Sequence, residues 1–316
     1  MQAVARKLRI QFPGAIYHVM SRGDHRQNIV RDDQDRNRFI ETLAQACAKT
    51  GWQVHAFCLM PNHFHIVVET PQPNLVTGMT WLLGTYTTRF NRRHRDIGHL
   101  FSGRYKSLLV GGEGGYLRTV CEYVHLNPAR ASLVPPDRPL SGYLWSSYPF
   151  YLMPSSRRPE WLRVDRLLGE YRIAKDSPTG RRVLEEAIES RRNAETDADF
   201  APIQKGWFLG DDNFRRELLE QMEGQTGPHH YGQSVRETAE AKSERWVVKE
   251  LIARGWKEAD LAQRRKGDPE KVAMAIALRR ETTATLAWIA DRLRMGTREH
   301  LSHLIYWSQR NSQTQT

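Results

Sequence analysis

The chain has 316 residues, 40% of them hydrophobic and 26% charged, which supplies a core and excludes a wholly disordered protein. No apolar run approaches the roughly 20 residues that a membrane span needs, and the basic start, Met1 to Phe12, has no apolar segment behind it, so a cytoplasmic protein is expected. Three scattered cysteines, Cys47, Cys58 and Cys121, support neither a disulfide framework nor a cysteine zinc knot, and a net charge of +11 points to a polyanionic partner, nucleic acid first.

The charge is unevenly spread: residues 1–150 carry +8, residues 151–239 carry −2 and residues 240–316 carry +5. Two basic modules therefore flank a near-neutral middle, with breaker-rich joints at Met153–Pro159 and Gly224–Pro228. These joints suggest domains at 1–155 and 239–316, with a helical linker over 156–238.

In the first module, Ala15 to Ser21 alternates as a strand does, and Asp32 to Thr50 places Phe39, Leu43, Ala46 and Cys47 at helical spacing. Trp52–Met60 and His63–Glu69 read as two strands joined by a Pro61-Asn62 turn. Asn74–Arg95 reads as a helix ending in the basic run Arg89–Arg95, Lys106–Val110 as a strand after which Gly111–Gly115 makes a flexible joint, and Tyr116–Leu126 as a helix stopped by Pro128. The order βαββαβα is that of an α+β, ferredoxin-like domain with an appended helix.

Residues 156–238 show only apolar positions such as Trp161, Leu167, Leu168, Tyr171, Val183, Leu184 and Ile188, without a catalytic pattern. Beyond them, Ala239–Arg254 and Lys271–Leu278 read as helices. Thr285–Leu293, the Arg294-Met-Gly296 turn and Thr297–Ile305 then form the pattern of a helix-turn-helix in an all-α module. Ala290, Leu293, Leu301, Leu304 and Ile305 would form its seam, and Thr297, as N-cap, would leave Arg298 and His300 at a DNA-reading end. The competing reading is a plain helical hairpin.

The period of two in a strand puts His63 and His65 on one face and Phe64 on the other, so two imidazoles can meet one metal ion. Tyr123 and Asn127, four residues apart, share a helix face that offers a phenol and an amide oxygen. Read singly, each has a structural explanation: the histidines as a satisfied polar pair, Tyr123 as an aromatic core residue, Asn127 as a cap before Pro128. Cys58 with the two histidines is a further zinc-like set, though a buried strand cysteine is more often core.

Together, His63-Phe64-His65 and Tyr123 resemble the two motifs of the single-tyrosine HUH transposases. More closely, five ordered stretches resemble the REP-associated tyrosine transposase branch: Phe12–His18, Met60–His65, Phe101–Lys106, Tyr123–Arg130 and Trp145–Tyr148. This resemblance covers about the first 155 residues. It implies an endonuclease and strand transferase acting on single-stranded, hairpin-bearing DNA, with Tyr123 as nucleophile and a divalent metal, Mg²⁺ or Mn²⁺, held by His63, His65 and Asn127. DNA contacts are expected from Arg22, Arg26, Arg104, Tyr105, Lys106, Arg118 and Arg130, arginine and lysine on phosphates and tyrosine on an unpaired base. Nucleoid association follows from such a partner, and a homodimer is compatible with it. The alternatives from other classes are a DNA-binding regulator that keeps the fold without the chemistry, and a zinc hydrolase of a different substrate. The C-terminal stretch resembles, more distantly, the DNA-binding domain of bacterial replication initiators.

Overall fold

The structure, a computed structural model, describes residues 10–194, 196, 200–203, 206, 208–223 and 230–313. The joint expected at Gly224–Pro228 lies outside the described residues. The chain divides into two compact units, one running from Met1 to Gly227 (Val76–Gly78 apart) and one from Pro228 to Thr316.

The first unit is built on β1 (Ala15–Arg22), β2 (Gln53–Leu59), β3 (His63–Thr70) and β4 (Lys106–Val110), with helices α1 (Asp33–Thr50), α2 (Leu75–His94) and α3 (Tyr116–His125) between and after them. The sheet order is β2-β3-β1-β4, and these four strands are antiparallel throughout, the arrangement that the ferredoxin-like reading requires. A short fifth strand, β5 (Phe208–Leu209), adds parallel to β4. Local chemistry sets the boundaries: Asp32 caps α1 by accepting from the Asp35 amide, and Gly51 closes it with φ +74°, in the left-handed region that glycine enters without steric cost.

Each sheet face has its own cover, which follows from the alternation along the strands. On one side Phe64 meets Phe39 of α1 and Phe101, with ring centroids 5.0 and 5.8 Å apart, and Tyr86 of α2 packs on the same Phe39. The other side carries the histidines and is covered by α3. The basic run at the end of α2 is structural: Arg93 pairs with Asp32 and Asp35 of the α1 start, and His94 meets Asp35 at 2.8 Å. As expected, α3 ends before Pro128, at His125. Pro128 then opens a further turn, α4 (Asn127–Arg130), at a position where its missing N–H costs nothing, and Arg130 N still bonds Leu126 O at 3.1 Å.

The separate linker expected over 156–238 is corrected by the structure: up to residue 227 it belongs to the first unit. Beyond the short helix α5 (Tyr148–Leu152), Leu167 and Leu168 of α6 (Asp165–Glu170) and Leu184 and Ile188 of α7 (Pro178–Ala194) join the same core as the sheet. Glu122 of α3, nearly buried, receives Arg118, Arg191 and the Tyr171 hydroxyl, the last at 2.7 Å. The physical reason is plain: α3 is apolar on more than one face and cannot be left open to water.

The second unit contains helices His230–Ala253, Glu258–Gln263, Pro269–Glu281, Leu286–Arg292 and Arg298–Gln313. Of the expected seam, Ala290, Leu293, Leu301 and Ile305 are buried and Leu304 packs against them. Gly296 takes φ +91° in the turn, and Thr297 accepts from the His300 amide at 3.2 Å as a cap. Lys271 was not anticipated: fully buried, its ammonium donates to Leu261 O and Arg294 O, each at 3.0 Å, and so satisfies helix-terminal carbonyls.

Candidate active site

Strand register assembles the site. Arg22 lies opposite His63, and Met20 opposite His65 on one side and Lys106 on the other. Directly opposed residues share a face, so Arg22, Met20, His63, His65 and Lys106 form one continuous surface, to which His18 is added by the period of two. The rings of His63 and His65 are 5.0 Å apart, and those of His18 and His65 stack at 5.1 Å.

Tyr123 comes down onto this surface from α3. Its ring stands edge-on to His65 at 5.5 Å and to His18 at 5.6 Å. Arg130 Nη2 donates to the Tyr123 main-chain carbonyl at 2.9 Å, and the Asn127 and Arg130 side chains act on the phenol to favour its ionised form. Arg130 also lies over the Tyr123 ring at 4.4 Å and over Phe200 at 4.3 Å, while Phe200 meets the Tyr123 ring at 5.4 Å. Tyr123 is thereby 9% exposed. Its phenol is raised above the ordinary range by burial, against which the Arg130 cation, hydrogen bonds from Arg130 and Asn127, and Arg22 act to stabilise the phenolate.

The histidines are poised as neutral ligands. Burial, followed by the Arg22 charge, lowers His63 to about 4, and burial with the charges of His18, His63 and Arg130 holds His65 well below the usual imidazole range. His63 Nδ1 lies 2.7 Å from Asn62 Oδ1. Since that oxygen only accepts, Nδ1 carries the proton and Nε2 the lone pair. His65 Nδ1 lies 2.9 Å from His18 Nε2, which leaves Nε2 as its other donor atom. No group of three or more His, Cys, Asp or Glu among the described residues is arranged to hold a metal ion. A cation held here would meet the His63 and His65 imidazoles, and the Asn127 side chain, which acts on the Tyr123 phenol, carries an amide oxygen that could join them. Cys58 does not enter it: fully buried, with its thiol pushed well up by burial, it donates to Met60 Sδ.

The residues expected to contact DNA divide into two groups. Arg22, Arg26, Arg104 and Lys106 line one cleft of about 410 Å³ with Ser21, Asp24 and Ser102, continuous with the His63 end of the site. Thr297, Arg298 and His300 are exposed at the start of the last helix of the second unit. Three others have different positions. Tyr105 is buried, because its side chain turns into the core beside Tyr17, and this corrects the expectation of a stacking ring. Arg118 lies over the Tyr171 ring at 4.3 Å and pairs with Glu122 at 2.7 Å, so it ties α3 to α6 rather than standing ready for phosphate. Arg130 is taken up by Tyr123 itself.

Three residues of this site escaped the sequence reading. His18 shares its parity with Met20 and Arg22 on β1, a signal legible once β1 is paired with β3. Asn62 was read as a turn residue alone. Phe200 lies in the near-neutral middle, where no pattern marks it.

Residues 11–127, from the approach to β1 through Asn127, match the family described as transposase, IS200 like. This part of the first unit is similar to the IS200-like transposases. The match ends at Asn127, so the matched segment contains both histidines, Tyr123 and Asn127, while Arg130 and Phe200 lie beyond it. Among solved structures, the chain is similar to a REP-associated tyrosine transposase bound to a REP hairpin, at 11% identity and a TM-score of 0.39, over 46% of this chain and 84% of that one. No curated protein matches the chain. Among the described residues, no helix is long and apolar enough to cross a membrane.

Proposed function

We propose that the protein is a metal-dependent transposase and endonuclease that binds hairpin-bearing single-stranded DNA and cleaves and rejoins it through a 5′-phosphotyrosine. One observation carries this reading: the Tyr123 phenol, acted on by Asn127 and Arg130, stands against the His65 and His18 rings on the face that also holds His63. The donor set, two buried imidazoles whose Nε2 atoms are not engaged by the Asn62 and His18 contacts, with an amide oxygen, fits a divalent cation that keeps open positions for phosphate oxygens. Bound by His63, His65 and Asn127, Mg²⁺ or Mn²⁺ would supply Lewis acidity at the scissile phosphate.

Tyr123 supplies the nucleophile. Arg130, stacked on the ring and bonded to the Tyr123 main-chain carbonyl, lowers the cost of losing the phenolic proton in a buried place. As the phenolic oxygen bonds phosphorus, the bond from phosphorus to the 3′ oxygen breaks, and that oxygen leaves as a hydroxyl after taking up a proton. The phosphodiester is exchanged for a phosphotyrosine ester, so attack by a second 3′-hydroxyl reverses the step and rejoins strands without an external energy source. Arg22, Arg26, Arg104 and Lys106 guide the strand along their cleft by neutralising phosphates. The second unit, with its Thr297-capped helix, grips adjoining duplex, and association with chromosomal DNA follows.

The test is incubation with labelled hairpin oligonucleotides and Mg²⁺ or Mn²⁺, followed by a denaturing gel. A covalent adduct that requires the metal supports the reading; tight binding without any adduct favours a regulator that keeps the fold.

A further inference from the structure

We propose that Asn62 is a positioning residue that holds His63 in the one tautomer able to bind metal, with its own orientation dictated by the turn after β1. The inference rests on the metal-binding reading given above. Three contacts converge on Asn62: its main-chain carbonyl accepts from Gly23 N at 2.8 Å, its Nδ2 donates to Arg26 O at 3.3 Å, and its Oδ1 faces His63 Nδ1 at 2.7 Å.

The argument runs from backbone to ring. A main-chain carbonyl can only accept, so Arg26 O selects the NH₂ end of the Asn62 amide. The oxygen end is then fixed toward His63, and an oxygen can only accept from the ring. His63 Nδ1 must carry the hydrogen, and Nε2 is left as the ligand atom. In water an unconstrained imidazole exchanges freely between its two tautomers, and one of them offers no lone pair at Nε2.

The turn that imposes this order is itself tightly determined. His25 and Arg26 occupy the left-handed region in succession, at φ 48° and 62°, which costs non-glycine residues free energy and persists only where the surroundings fix it. They are fixed by Asp24 N donating to Leu100 O at 2.9 Å, Gln27 N to Asp24 O at 2.8 Å, and Ile29 N to Pro61 O at 2.8 Å. At Gly23 a Cβ would meet Gln27 O at 2.1 Å, so no larger residue fits there. The same turn lines the cationic cleft, so one structure serves the strand path and the ligand geometry.

The experiment uses the full chain and two variants, with Mn²⁺ alone as the probe. Asn62→Ala removes both side-chain bonds; Asn62→Asp keeps an acceptor toward His63 while losing the donor to Arg26 O. Imidazole ¹⁵N spectra report the His63 tautomer without metal, calorimetry reports Mn²⁺ affinity, and a thermal melt reports the fold. The wild type is expected to show Nδ1–H at His63. Asn62→Ala should move His63 toward Nε2–H and weaken Mn²⁺ binding about 10- to 100-fold, with Asn62→Asp retaining the tautomer and most of the affinity. An Asn62→Ala protein with unchanged spectrum and affinity overturns the proposal, as do equal losses in both variants that follow the melting temperature. A wild type that holds Nδ1–H yet binds no Mn²⁺ overturns the metal reading itself, and with it the purpose assigned to Asn62.

Discussion

The Arg130 guanidinium lies 4.4 Å from the centroid of the Tyr123 ring and donates from Nη2 to the Tyr123 main-chain carbonyl at 2.9 Å. One residue thus fixes the Tyr123 backbone and sets the electrostatics of its ring. Arg130→Gln removes the cation that opposes burial, so the phenol should lose its proton only at higher pH. The alkaline rise of adduct formation should move upward, and the rate at neutral pH should fall. Arg130→Lys keeps the charge without the planar stack and is expected to lie between the two. Adduct yield measured across a pH series checks this; superimposable profiles would separate Arg130 from the phenol's ionisation.

Tyr123→Phe removes one hydroxyl and preserves the ring that packs on His18, His65 and Phe200. Hairpin binding is expected to persist while the covalent adduct disappears. Adduct formation by the Phe variant, seen on a denaturing gel, would assign the nucleophile to another residue.

The two faces of β3 separate chemistry from packing. His63→Ala and His65→Ala should each weaken Mn²⁺ binding and abolish cleavage. Phe64→Ala, which opens a cavity among Phe39 and Phe101, should mainly destabilise the fold by about 3 to 5 kcal/mol. Calorimetry and thermal melts distinguish them. Full metal affinity in both histidine variants would remove the site.

Much of this was legible because strands and helices have fixed periods. The bounds of β4, a short apolar run closed by Gly111, and the burial of the second unit's seam, set by helical spacing, could be read in the sequence. What was not legible depends on residues far apart in the chain. Phe200 reaches Tyr123 only through the path of α6 and α7, and Arg118 is drawn to Glu122 and Tyr171 by a packing that no local pattern announces. Tyr105 misled for a related reason: an aromatic residue between two cations looks like a stacking platform until strand alternation turns it inward.

Acid should unfold the first unit before it hydrolyses anything. His125 is buried, bonded through Nε2 to Ser147 Oγ at 2.8 Å, and burial lowers it to about 3. Between the ordinary imidazole range and that value, the unfolded chain binds the proton and the folded chain does not, so stability falls as pH drops from about 6.5 toward 3. At pH 5 the loss from this one residue is on the order of 2 kcal/mol. Urea midpoints at pH 7, 6 and 5 check it, and a flat series would show that His125 is protonated in the folded state.

The division of labour between the two units gives the last prediction, and the structure changes where the chain should be cut. A truncation near residue 155, at the Met153–Pro159 breaker, would strip α6 and α7 from α3 and leave Glu122 and the core around Leu167, Leu168, Leu184 and Ile188 in water. Such a protein should be insoluble or unfolded. Truncation at Gly227 keeps the first unit whole and should retain metal-dependent nicking of a minimal single-stranded site. If the Thr297-capped helix enters duplex, the same truncation should weaken binding to substrates carrying a stem, since phosphate neutralisation and groove contacts are lost together. Arg298→Ala tests one such contact without disturbing the seam, because Arg298 is exposed while Leu301 and Ile305 stay buried. A base-edge contact at Arg298 would cost roughly 1 to 3 kcal/mol and relax sequence preference, whereas a phosphate contact would weaken all sequences alike and reduce the salt slope by about one. Binding of the full chain, the truncation at 227 and Arg298→Ala to stem-bearing DNA across a salt series decides between them. Equal affinity of all three would show that the second unit is a helical hairpin with a purpose other than DNA binding.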